Sequence, residues 1–108
     1  VQGPGATTRV VAELREALAL QPGLQIGWIQ PERNVFPQGL VQAEIPLAQM
    51  TWIQQRDPLW AVETALRSQI FGVVIFEGLD QEKVDEKQRR RFRMMARQSG
   101  ARLYWIVR

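Results

Sequence analysis

At 108 residues, 45% of them hydrophobic, the chain is sized for one domain with a substantial core. It contains neither Cys nor His, which excludes disulfides, thiolate metal sites, a Cys nucleophile, a Ser-His-Asp triad and the commonest metal ligand. The net charge of +3 is concentrated late in the chain. From residue 81 onward Lys83, Lys87, Arg89, Arg90, Arg91, Arg93, Arg97, Arg102 and Arg108 face only Glu82, Asp85 and Glu86, so an acidic partner would meet that part.

In chain order, Gly3-Pro4-Gly5-Ala6-Thr7-Thr8 forms a Gly-rich loop running into a helical segment. A phosphate loop needs a Lys just before its hydroxyl residue to reach the β- and γ-phosphates, and none is present. The loop is also too short to wrap a triphosphate. Residues 8–20 carry Val11, Leu14 and Leu18 at helical spacing, with Thr7 or Thr8 as cap and Gln21-Pro22-Gly23 as stop. Residues 24–29 are short, apolar and rich in Ile and Trp, which predicts a strand. Beyond Pro31 and Pro37 a short helix is expected over 38–43, then a second strand over 50–53. Asp57-Pro58 starts a helix, with Asp as cap and Pro in the first turn; it runs to Ser68 and buries Leu59, Val62 and Leu66. Residues 71–76 are almost continuously apolar, the mark of a strand covered on both faces. Asp80 is expected to cap a long helix that ends at Ser99-Gly100, and residues 103–107 form the last strand.

Strict alternation of helix and strand predicts a parallel sheet with helices on both sides. Ligands on such sheets bind at the carboxyl ends of the strands. Three places then matter: the Gly3 loop, Gln30-Pro31-Glu32 and Glu77-Gly78. The chain begins at Val1 without an initiator Met and stops inside a strand-like run, so a single domain over 1–108, trimmed from a longer protein, is expected. No apolar run approaches the roughly 18 residues of a membrane span and no signal peptide is visible, so a cytoplasmic protein without a membrane partner is expected.

The three places fall in the order used by RecA-type recombinase ATPases, and the chain resembles a divergent member of that superfamily. Gly3-Pro4 with Thr7-Thr8 resembles the two ends of the recombinase phosphate loop, its centre and its Lys deleted. Ile29-Gln30-Pro31-Glu32 resembles the strand end that carries the water-activating Glu, placing Glu32 there. Val73-Val74-Ile75-Phe76-Glu77 resembles the Walker B strand, with Glu77 in place of the Mg²⁺-associated Asp. Leu59-Trp60-Ala61-Val62-Glu63, Ala65-Leu66-Arg67-Ser68 and the strand from Gly72 to Phe76 are similar to the ImuA family and its relative SulA, nucleotide-free bacterial proteins of the DNA-damage response. The resemblance implies a RecA-like α/β three-layer sandwich with a mostly parallel sheet. For an ImuA-like chain it implies an accessory to mutagenic translesion synthesis, with translesion polymerase subunits and a RecA-type recombinase as partners. For a SulA-like chain it implies a cell-division inhibitor that binds the tubulin-like FtsZ. The ImuA-like role is the first expectation, the SulA-like role the alternative, and a remodelled nucleotide-binding or DNA-binding paralogue a third.

Each feature also has an ordinary structural reading. Gly3, Pro4, Gly5, Thr7 and Thr8 could cradle an anion at a helix N-terminus, but without the Lys a tight turn with a Thr cap is favoured. Glu32 and Glu77 lack a gripped phosphate to act on, since Mg²⁺ in such sites is shared with the nucleotide, so capping or ion pairing is expected of both. No catalytic residue, cofactor or metal is therefore expected, and the chain is expected not to be an enzyme. Glu86, Arg90, Arg93 and Arg97 share one helix face, while Val84, Phe92, Met95 and Ala96 point inward. This face could bind nucleic acid weakly; a solvated or protein-facing surface, partly neutralised by the Glu86–Arg90 pair, is preferred. Trp28, Trp52 and Trp105 belong to predicted strands and to the core, whereas Trp60 is expected to be partly exposed. Trp60, Arg67, Arg90, Arg93 and Arg97 are the expected partner-binding residues, for another protein or a second copy of the chain.

Overall fold

The computed structural model describes residues 6–30, 45–54, 57–79 and 85–107. Helix α1 (Ala6–Leu20) leads to β1 (Ile26–Gln30), and a 3₁₀ turn (Leu47–Gln49) leads to β2 (Met50–Gln54). Then come α2 (Pro58–Ser68), β3 (Val73–Leu79), α3 (Glu86–Ser99) and β4 (Arg102–Val107). The four strands form one sheet in the order β2-β1-β3-β4, and every pairing is parallel. The architecture is an α/β three-layer sandwich, as the alternating pattern predicts.

Two apolar clusters show how the layers form. Side chains alternate across a strand, so one residue set serves each face. Val10, Val11 and Leu14 of α1 pack with Ile26 and Trp28 of β1 and with Val73 and Ile75 of β3. On the opposite face Val62 and Leu66 of α2 and Phe92 and Ala96 of α3 pack on Ile29, Val74 and Phe76. β1 is buried at every position, which explains why its sequence shows no polar alternation until Gln30.

The ends of the helices follow their local chemistry. The Asp57 carboxylate accepts the Trp60 N–H at 3.1 Å, and Pro58 opens α2 where no intrahelical partner for its nitrogen is needed. α3 begins later than expected. Asp85, not Asp80, is its cap: the Asp85 carboxylate accepts from Gln88 N at 2.8 Å while Gln88 Oε1 accepts from Asp85 N at 3.3 Å. This reciprocal box satisfies two otherwise unpaired donors and contributes about 1 kcal/mol. Gly100, at φ 74°, ends the helix in the left-handed conformation that glycine adopts without steric cost.

Other boundaries also differ from the sequence reading. α1 already includes Ala6, so Thr7 and Thr8 lie in its first turn and not ahead of it. β1 starts at Ile26, two residues later than expected; Leu24, ahead of it, lies over Gly72, where an added Cβ would collide with Leu24 Cδ1. β3 continues past Phe76 to Leu79 because Glu77 still pairs with Ile106, and a register shift follows between Glu77 and Leu79. The expected helix over 38–43, the loop residues Gly3, Pro4 and Gly5, and Glu32, Asp80 and Val84 lie outside the described residues.

Candidate functional site

The carboxyl end of the sheet is built from β1, β2 and β3. Ile29 pairs with Phe76, so the register continued by one residue sets Gln30 opposite Glu77, with Trp28 diagonal to it on the same face. The side chains meet there. Trp28 Nε1 donates to Glu77 Oε2 at 2.7 Å, and Gln30 Nε2 donates to the same oxygen at 3.1 Å. Trp28 is fully buried and stacks on Trp52, its partner across β1 and β2, with ring centroids 5.3 Å apart. Gln30 is itself 7% exposed, so its amide needs a protein partner and Glu77 supplies one.

Glu77 is therefore joined to its neighbouring strand by two side-chain hydrogen bonds at the carboxyl end of the sheet. Among the described residues no group of three or more Asp, Glu, His or Cys gathers as a metal cradle. Sequence reasoning had singled out Glu77 and the strand end at Gln30, but not that Gln30 and Trp28 donate to the Glu77 carboxylate. Trp28 and Gln30 both sit at alternate positions of one strand, and only the register between two strands distant in sequence brings them to it.

A cleft of about 430 Å³ opens at the opposite end of the sheet, lined in part by Ala17, Leu20, Leu24, Gly72 and Arg102. Its cation is already engaged: Arg102 interacts with the Tyr104 phenol, which also faces Glu13. Burial is the main cause that pushes the Tyr104 pKa above its ordinary 10.0, with Glu13 adding to the rise and Arg102 opposing it.

The second candidate surface is the outer side of α2 and α3. Glu63, half-buried between the two helices, accepts from Arg91 Nη2 at 2.7 Å and pairs with Arg67 Nη2 at 2.7 Å through the same oxygen. Arg90 stands 4.0 Å from Glu86, both exposed, an arrangement worth only a few tenths of a kcal/mol. Arg93 and Arg97 are exposed, and Trp60 is 55% exposed. Arg89 behaves differently from its neighbours, because its guanidinium lies 5.5 Å from the centre of the Trp105 ring. Trp105 in turn makes an edge contact with Phe76 at 5.4 Å.

A scan against protein-family models and a search of curated proteins both find no match. Among solved structures, the crystal structure of SulA from Pseudomonas aeruginosa is similar, with a TM-score of 0.73 at 19% sequence identity. The likeness covers 99% of this chain and 93% of the SulA chain. The two share a fold. No helix among the described residues is long and apolar enough to cross a membrane.

Proposed function

We propose that this domain is a non-catalytic binding protein of the SulA type, acting in the cytoplasm to inhibit cell division by docking on FtsZ. The observation that carries the reading is the shared fold, which runs over nearly all of both chains. Two features of the chain support a role in binding over one in catalysis. The sequence around Gly3 to Thr8 has no Lys to hold a nucleotide's outer phosphates, and the Glu77 carboxylate accepts from Trp28 and Gln30. The order expected from sequence is thereby reversed, with the division inhibitor placed ahead of the translesion accessory. The ImuA-like role, with a translesion polymerase and a RecA-type recombinase as partners, remains the second reading, and it rests on the resemblance of the 59–68 segment.

The test is GTP-driven assembly of FtsZ, followed by light scattering and sedimentation, with increasing amounts of the purified domain. Polymer should fall in proportion to added domain, approaching zero near equal concentrations of the two proteins. Assembly that proceeds unchanged at a several-fold excess of the domain contradicts the reading.

A further inference from the structure

We propose that the outer face of α2 and α3 is a docking surface for an acidic protein segment carrying at least one large apolar side chain. The proposal rests on the reading of the domain as a binding protein, and it adds the face used and the chemistry of what binds. Trp60 and Met94, 55% and 60% exposed, are among the most solvent-accessible large apolar side chains of the described residues, and both belong to these helices. Neither contributes to the two core clusters.

Their placement follows from helix geometry. Trp60 lies three residues before Glu63 on α2, and Met94 lies three residues after Arg91 on α3. Glu63 and Arg91 are joined across the helices, so the indole and the thioether stand about one turn away on either side of that junction. An indole brings a large contact area at small entropic cost, and a thioether adapts its shape to what it meets.

The charge around this apolar pair is predominantly positive. Arg67, Lys87, Arg90, Arg91, Arg93 and Arg97 are all exposed. The acids near them are fewer: Glu63 is shared by Arg67 and Arg91, Glu86 stands beside Arg90, and Asp57 and Asp85 cap the first turns of the two helices. A segment bearing carboxylates around an apolar anchor complements this field, which would speed its approach and exclude basic competitors.

A single-stranded nucleic acid would meet the same cations, but such binding relies on a series of aromatic rings for successive bases. The other tryptophans here are turned to internal use. Trp28 and Trp52 stack on each other, while Trp105 lies against Phe76 and beneath Arg89. Among the described residues Trp60 is the one aromatic with a largely exposed ring, which suits a protein anchor better than a base-stacking track.

The experiment measures fluorescence anisotropy of three labelled probes against the intact domain. The first probe is a Glu-rich helical peptide with Leu and Phe four residues apart. The second has equal charge with Gly and Ser in place of the apolar residues, and the third is an oligothymidylate. The first should bind best, with an affinity that falls as salt rises. Trp60→Ala should weaken it at least about tenfold, and Arg90→Glu with Arg93→Glu by a similar factor or more. Thermal melts should show both variants folded, because these side chains are exposed. Failure of the first probe to bind, binding unchanged in both variants, or preference for the oligothymidylate would overturn the proposal. The same variants in the FtsZ assay separate the two ideas. If both inhibit as well as the unaltered domain, the docking face is wrong and the division reading stands. If the unaltered domain leaves FtsZ alone yet binds the first peptide through Trp60, the face stands and the division reading falls.

Discussion

Trp28→Ala should cost the domain about 3–5 kcal/mol, the usual range for removing a buried aromatic side chain. For a chain of this size that corresponds to a fall in thermal midpoint of more than about 10 °C, measurable by circular dichroism. Trp28 is inaccessible to solvent, packs in the cluster under α1, stacks on Trp52 and donates to Glu77. Three interactions end together. Trp28→Phe keeps a ring against Trp52 but removes the donor, so it should lose much less, about 1–2 kcal/mol. A shift of only a few degrees for the alanine variant would mean that the sheet does not depend on this residue for its packing.

Glu77→Ala should be the next most damaging, at about 2–3 kcal/mol, although it removes no apolar side chain. Its carboxylate oxygen receives the Trp28 indole N–H and the Gln30 amide, and Gln30 is buried. Deleting the acceptor leaves two donors short of a partner in a place water reaches poorly. Glu77→Gln retains an acceptor oxygen and should lose less. Urea unfolding of Trp28→Phe, Glu77→Gln and the double variant gives a cycle in which the two losses should not add, because both act on one hydrogen bond. The opposite outcome is informative. A carboxylate held for chemistry commonly lowers stability, so a Glu77→Ala variant as stable as the original would point back to an active site.

Much of the fold was legible because local signals and burial agree. Asp57-Pro58 marks the start of α2 by capping chemistry alone, and the run from Val73 to Phe76 marks a strand buried on both faces. The start of α3 was harder, since Asp80 and Asp85 both offer a cap. The deciding signal was present in Asp85 and Gln88, an acid followed three positions later by an amide, which the structure closes into a reciprocal pair. Leu24 misled for a different reason: an apolar residue beside a strand can serve as cover for a close backbone approach, here over Gly72. The surroundings of Glu77 could not be read at all from local pattern. They depend on a register between residues 47 and 49 positions apart, which nothing near either partner encodes. The exposed stripe of α3 was visible in its periodicity, but the special position of Arg89 over Trp105 was not, for the same reason.

That the domain works by surface contact and not by holding a nucleotide is the claim underlying the proposed function. Calorimetric titration of the folded domain with ATP and Mg²⁺ tests it most directly. The account predicts heats indistinguishable from dilution, with no saturable site. Saturable binding in the micromolar range, weakened by Glu77→Gln, would contradict it.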